Sequence, residues 1–523
     1  MKRFEMIFLL LCLPIVLTAK EYYVATNGND TNIGTIDSPF GTLSHAQSVV
    51  VPGDIIYIRG GKYTIEESQI MGERESIYSC VFLMDKSGTS NEQRICYFGY
   101  PGERPVFDLS RVKPAGKRVS VFYVSGSYLY FKNIEVIGTQ VTIVGHTQSE
   151  CFSNRGGNNN IYENLSMHDG MGIGFYLVKG ADNLILNCDA YRNYDTVSDG
   201  GKGGNVDGFG GHPNSNGSGN VFRGCRAWWN SDDGFDLINS GQAVVIDQCW
   251  SFYNGYQPGS TSLGAGDGTG FKAGGYGMSN SPKVPDAIPM HEVKNCIAYY
   301  NKNKGFYANH HLGGILWANN SGYMNPSNYC MLNRKSTTEA IDVPGYGHIL
   351  KNNLSYEPRS TGKHIVDVDE SLCKIANNSF LTSTVEVMEA DFISLETSQL
   401  TAARKVDGSL PDITFLQPKE GNKLYTAKIG YSFKAPVTDE DNDGVDDNIL
   451  VGENEWLMEV AIHINGSTAT VEGPGAEEFT TFYINGKAVK MSNGQIDLSG
   501  YNGQLELKAT TTQGGITRLK INR

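Results

Sequence analysis

Asn187-Cys188-Asp189-Ala190-Tyr191-Arg192-Asn193 is the stretch that decides how this chain folds. The same phrase, x-Cys-x-Ala/Ser-aromatic-x-Asn, returns at Gly224–Asn230, Gln248–Asn254 and Asn295–Asn301, and a further copy, Asn319–Asn325, has Asn320 in place of the Cys. Gly-Phe pairs recur with it, at Gly208-Phe209, Gly234-Phe235, Gly270-Phe271 and Gly305-Phe306, preceded by Gly174-Phe175. The closest spacings of equivalent positions are 24 residues (Cys225 to Cys249, Cys296 to Asn320) and 23 (Asn164 to Asn187). Short alternating runs such as Val221-Phe222-Arg223, punctuated by Asn and Gly, read as strands and tight turns. A β-pattern at this period, with no helical stripe, predicts an all-β chain coiled as a parallel β-solenoid. Leucine-rich repeats share the period, but their Leu-x-x-Leu-x-Leu frame is absent. Stacked strands lie about 4.8 Å apart, so residues of equal phase become neighbours in space. The recurring Asn fits an inward ladder of side-chain amides.

The Cys column, Cys188, Cys225, Cys249 and Cys296, is read as core, because free Cys behaves as a small buried hydrophobe. Zinc would want CxxC or His spacing, and neither appears. Cys80 with Cys96 is the one candidate disulfide.

Met1-Lys2-Arg3, an apolar run from Met6 to Leu17 and then Thr18-Ala19 read as a signal peptide over residues 1–19, with export to the periplasm or the outside. Cys12 sits inside that run behind Leu10-Leu11, which disfavours lipidation. No later segment reaches 18 apolar residues, so no membrane span is expected. A net charge of -13 with no basic stripe argues against nucleic acid. It would also repel an acidic polymer unless a cation or local basic residues intervened. A monomer is expected.

Residues 20–435 are assigned to the solenoid. Residues 20–63 form a strand, a short helix and a first coil that caps the stack, and solenoid ends need such caps. A helix over Ile393–Arg404 and the stretch Leu410–Phe433 are expected to close the far end. Residues 436–448 form an acidic linker, and 449–523 a small β-sandwich-like domain with hairpin signals at Asn485-Gly486 and Asn493-Gly494. Within the linker, Asp439, Asp441, Asp443 and Asp447 fit D-x-D-x-D-G-x-x-D, the oxygen-rich spacing of a structural calcium loop, which is preferred to a solvated acidic hinge.

Alignment of the Gly-Phe column shows where chemistry concentrates. The residues before Gly are Ile173, Asp207, Asp233, Thr269 and Lys304; those after Phe are Tyr176, Gly210, Asp236, Lys272 and Tyr307. Asp207, Asp232, Asp233 and Asp236 therefore converge, with Lys272 one rung on. So many carboxylates repel one another unless protonated or metal-bound, and hard oxygen ligands in this number suit Ca²⁺. The longest Asn-to-Gly gaps, fifteen residues from Asn193 to Gly208 and sixteen from Asn254 to Gly270, flank the same rungs, as does Tyr276–Met290. The His310-His311 pair reads as exposed scaffolding.

Asn230-Ser231-Asp232-Asp233-Gly234-Phe235-Asp236 followed by Gly270-Phe271-Lys272 resembles the signature of family 9 polysaccharide lyases, right-handed parallel β-helix pectate and rhamnogalacturonan lyases. The resemblance covers residues 20–435 and leaves out the tail from 449. It implies that Asp207, Asp232, Asp233 and Asp236 ligate Ca²⁺, that Lys272 is the base, and that an acidic pectic polysaccharide is cleaved by β-elimination. The residues are compatible with this. Calcium would neutralise the uronate carboxylate, and a lysine with an ordinary pKa near 10.4 must be lowered to serve as base, giving an alkaline optimum. A uronan C5-epimerase, a glycoside hydrolase and a non-catalytic carbohydrate-binding solenoid remain as alternatives. A hydrolase would use two metal-free carboxylates, and a binding protein has no need of Lys272.

Overall fold

The computed structural model describes residues 19–276, 285, 287–381 and 386–433, and in the tail 461–465, 468–472, 479–485, 487–489, 495–501, 504–511 and 516–522. The signal-peptide assignment, the acidic loop with Asp439, Asp441, Asp443 and Asp447, the Asn493-Gly494 turn and most of Tyr276–Met290 lie outside these residues. The chain divides into two compact units, ending at Ala435 and beginning at Pro436.

The first unit is a right-handed parallel β-helix. Each coil gives one strand to each of three sheets, of twelve, ten and eleven strands, and parallel pairing joins successive coils throughout, apart from an antiparallel pair at Gly72–Arg74 and Tyr78–Met84. The seven-residue phrase is one three-residue strand of the ten-stranded sheet between two corners. Its first residue is left-handed in every copy (Asn187, Gly224, Gln248, Asn295, Asn319), and so is its sixth (Arg192, Trp229, Tyr253, Tyr300, Met324). Left-handed backbone is costly for a non-glycine residue, so these corners are held by what surrounds them. The final Asn does much of this. The Nδ2 groups of Asn193, Asn230, Asn254 and Asn301 each donate to Oδ1 of the next Asn in the column at 3.1 Å. The mid-strand Ala190, Ala227, Ser251 and Ala298 are in register and fully buried.

The Gly-Phe pair has a matching cause. Phe209, Phe235, Phe271 and Phe306 stack at centroid distances of 4.9, 4.9 and 5.0 Å. A Cβ on the preceding Gly208, Gly234 or Gly270 would lie within 2.8 Å of the next coil's glycine carbonyl oxygen, which excludes any other residue there. All four Cys of the column are fully buried and their thiols face backbone carbonyls, as with Cys296 Sγ to Lys294 O at 3.0 Å. The Cys80–Cys96 disulfide is not formed. The two residues belong to different sheets, and both are free thiols.

The expected helix over Ile393–Arg404 is absent. Only a 3-10 turn, Thr397–Thr401, forms within an extended strap. Ser and Glu side chains capture backbone N–H groups locally, Ser394 Oγ from Glu396 and Glu396 Oε1 from Ser398, and so compete with helix formation. The carbonyls of Leu400 and Ala402 accept instead from Arg226. Rather than closing only the far end, the strap lies along the outer face of the ten-stranded sheet, with Phe392, Leu400, Phe415 and Leu424 against Trp228, Trp250, Tyr299 and Tyr323. It is pinned by Asp189, which Arg226 and Arg404 both contact at 2.6–2.9 Å. Burial works to raise the Asp189 pKa, but the two guanidiniums hold it down to about 2.

Strand Glu21–Val24, helix Leu43–Val49 and strands Ile55–Ile58 and Gly61–Thr64 form the expected N-terminal cap. The histidine pair departs from expectation: His311 is fully buried, its ring 4.7 Å from that of His291. Neither ring nitrogen of the buried His348 has a hydrogen-bond partner. Burial lowers the pKa values of His311 and His348 to about 4 and that of His291 well below its ordinary value. The unfolded chain then binds more protons than the folded one below pH about 6.5, so stability falls as pH drops from there toward 4, by about 1.4 kcal/mol per pH unit for each histidine. Urea midpoints between pH 7 and pH 4.5 are expected to fall less steeply in His348→Asn than in wild type. Parallel profiles would remove the histidines from the acid response.

In the second unit, strands Ala461–Asn465, Thr468–Glu472 and Gln495–Asp497 form one antiparallel sheet, and Phe479–Ile484, Lys487–Val489, Gln504–Thr511 and Ile516–Asn522 another. The two share a core of Ile462, Phe482, Ile496 and Leu507. The Asn485-Gly486 hairpin is present: Asn485 is left-handed, and Ile484 pairs with Lys487.

Candidate active site

The rungs stack as the sequence alignment requires. Tyr176 pairs with Gly210, Gly210 with Asp236, Asp236 with Lys272, and Lys272 with Tyr307, all on the outer face of the eleven-stranded sheet. Carboxylate oxygens of Asp207, Asp232 and Asp233 lie within 4.8 Å of one another. Asp236 stands beside this group. Its Oδ1 accepts the Ile238 N–H at 2.7 Å, and its Oδ2 lies 3.0 Å from Lys272 Nζ. Lys272 Nζ is also 3.1 Å from Asp233 Oδ2. The five residues are thus neighbours, as the alignment of the Gly-Phe column expects; the tight three-oxygen group comprises three of the four aspartates.

What holds the carboxylates was not legible as a motif. Backbone N–H groups do it: Asp233 donates to Asp207 Oδ1 at 3.1 Å, Asn205 to Asp232 Oδ2 at 2.9 Å, Asp267 to Asp232 Oδ1 at 2.8 Å and Thr269 to Asp233 Oδ1 at 2.6 Å. Asn205, Asp267 and Thr269 belong to the two long insertions, whose lengths were the only signal of this role.

The electrostatics are those of an anion-rich pocket short of positive charge. Burial, reinforced by Asp232, Asp236 and Asp233, pushes the Asp207 pKa well above the carboxylate range. Burial does the same to Asp233 and, less strongly, to Asp232, with Lys272 pulling against it. For Lys272, burial favours the neutral amine, but Asp236, Asp233, Asp207 and Asp232 outweigh it and keep the ammonium above its ordinary pKa. Asp233 Oδ2, fully buried, makes no hydrogen bond despite its closeness to Lys272 Nζ. Three hard carboxylate donors this close together fit a divalent cation of the calcium type.

A family model described as "Pel9A-like, right handed beta helix region" matches residues 22–353, and one described as "Rhamnogalacturonan lyase-like, C-terminal" matches residues 369–518, taking in most of the tail that the motif resemblance leaves out. Pectate lyase L of Dickeya dadantii (strain 3937) is 34% identical over 428 residues, covering 80% of this chain and 90% of that protein. A solved structure titled "Rhamnogalacturonan lyase" is 54% identical with a TM-score of 0.76, covering 79% of this chain and 100% of that one. The crystal structure of pectate lyase Pel9A is 34% identical with a TM-score of 0.62, covering 78% and 90%. The fold and these likenesses define a polysaccharide lyase. The chain belongs to the Pel9A-like right-handed β-helix family.

Among the described residues, no helix is long and apolar enough to cross a membrane.

Proposed function

We propose that the protein is an exported, calcium-dependent lyase that cleaves galacturonate-containing pectic polysaccharide by β-elimination, with Lys272 as base. The observation that carries this reading is the placement of Lys272 Nζ, 3.0 Å from Asp236 and 3.1 Å from Asp233, beside three carboxylates whose oxygens lie within 4.8 Å of one another. Asp207, Asp232 and Asp233 would hold the ion, with Asp236 adjoining, and Ca²⁺ there would supply positive charge that neutralises both these carboxylates and a uronate carboxylate. Metal-free, Lys272 is an ammonium and no base. With the aspartate field neutralised, its burial lowers its pKa, and the free amine accepts the uronate C5 proton as the C4–O4 bond breaks, C4=C5 forms and the departing O4 takes a proton from solvent. The inserted loops fix the cluster through backbone N–H groups, so little reorganisation is needed on substrate binding.

Rhamnogalacturonan I is favoured over homogalacturonan as substrate. What supports this is the greater identity, 54% against 34%, to the structure titled "Rhamnogalacturonan lyase" than to that of pectate lyase Pel9A. Export, read from the leader at residues 1–19, suits a polymer found outside cells. The residues 436–448 are proposed as a calcium-loop linker and the tail as a domain dispensable for chemistry.

The test is formation of an unsaturated uronate, read by ultraviolet absorbance, on a panel of pectic polymers with and without chelator. Asp233→Ala is expected to lose at least about a hundredfold in kcat/KM, and excess Ca²⁺ is expected to restore it poorly. Asp441→Ala is expected to leave turnover intact. Equal responses of the two variants to chelation and re-addition would contradict the assignment of the catalytic ion to the stacked rungs.

A further inference from the structure

Lys304 occupies the same column as the aspartates. The backbone bonds Gly208 N–H to Asp233 O, Gly234 N–H to Thr269 O and Gly270 N–H to Lys304 O place Asp233, Thr269 and Lys304 on successive rungs. Lys304 is therefore two rungs beyond Asp233, roughly 9.6 Å along the stack. Its ammonium lies 4.6 Å from the ring centroid of Tyr307, the residue that pairs with Lys272 on the outer face. Its hydrogen bond is to Asn303 Oδ1 at 3.1 Å, and among the described residues it forms no ion pair. The neighbouring acids are engaged elsewhere. Asp342 faces His310 Nε2 at 3.2 Å and Arg334 Nε at 3.7 Å, and Asp267 Oδ1 accepts from Asn303 Nδ2 at 2.8 Å.

In a chain of net charge -13, a half-buried ammonium beside the active lysine, oriented by an aromatic face and lacking a carboxylate, is a site prepared for one. In this column the rung between carries the buried, uncharged Thr269, and the base Lys272 stands further along that same rung. A pyranose is about as long as one rung, so a polymer lying along the stack brings the sugar after next to Lys304. We propose that Lys304 is a substrate-positioning residue that binds the carboxylate of a second uronate, separated by one neutral sugar from the uronate at the aspartate cluster. Tyr307, on the same rung and almost fully buried, holds the ammonium at that spacing. The site thereby selects a polymer whose uronates alternate with neutral sugars. This inference rests on the lyase reading above.

The test uses the full chain with Ca²⁺ and two sets of defined oligosaccharides, one with uronates alternating with a neutral sugar and one with contiguous uronates. Affinity is measured by calorimetry and cleavage by steady-state kinetics. Lys304→Ala is expected to weaken binding of the alternating set about tenfold, with the kinetic loss falling on KM rather than kcat, and Lys304→Arg is expected to restore most of it. Reducing the second carboxylate to an alcohol is expected to weaken wild type by the same factor and to leave Lys304→Ala indifferent. Unchanged affinity in Lys304→Ala, or continued sensitivity of that variant to carboxyl reduction, would overturn the contact. A larger loss on contiguous uronates than on alternating ones would overturn the spacing. Wild type that binds but releases no unsaturated product would instead refute the lyase reading, and calorimetry would still report on Lys304.

Discussion

Lys272→Ala is expected to lower kcat by about 10²–10⁴-fold, the usual worth of a positioned general base, and Lys272→Arg is expected to fail equally at neutral pH because a guanidinium stays protonated. The wild-type rate should climb from neutral toward alkaline pH as the ammonium gives up its proton, whereas neither variant should show that limb. The stability readout depends on the ion. Without metal, the substitution strips the buried Asp233 and Asp236 of the cation 3.0–3.1 Å away, and melting should fall, since breaking a buried pair is costly. With saturating Ca²⁺ the two melting curves should nearly coincide. Turnover within tenfold of wild type in the alanine variant would remove the base assignment. Equal melting differences with and without Ca²⁺ would separate the lysine from the ion site.

Asp189→Ala is expected to destabilise the β-helix by about 3–5 kcal/mol, because it leaves two buried guanidiniums without their anion. Arg226 and Arg404 have few alternatives, being already committed to carbonyls of the strap and of residues 188 and 224. Replacing the three residues together with apolar side chains of similar volume should cost far less than the single change, since the penalty comes from uncompensated charge rather than a lost attraction. Urea midpoints of the single and triple variants give the comparison. A single variant as stable as wild type would show that the strap is held by its apolar contacts alone.

The columns were legible before any coordinates because a stacked fold converts sequence phase directly into adjacency. Asp207, Asp233, Asp236 and Lys272 could be placed by counting from Gly-Phe pairs, and the need for glycine there is a steric fact of one coil resting on the next. The strap was not legible. Its pattern of Leu400, Glu396 and Arg404 is compatible with a helix, and the competing partners, the Arg226 guanidinium and the flank of Trp228 and Trp250, lie about 150 residues or more away in sequence. The buried His311 was misread for a similar reason. Its neighbours His291 and His348 come from other coils at irregular intervals, outside the repeat that made the other positions visible. The cradle around the carboxylates is backbone, which any residue type supplies, so only the loop lengths betrayed it.

The Asn ladder and the Phe stack tie each coil to the ones directly above and below it. Melting in such an array resembles fraying of a rope from its ends, with each turn lost weakening only the next. Asp236 and Lys272 sit on the fifth and fourth strands of an eleven-strand sheet, counted from its C-terminal end, so several turns shield them on either side. The chemistry is thereby insulated from wear at the termini, where protease nicks first land.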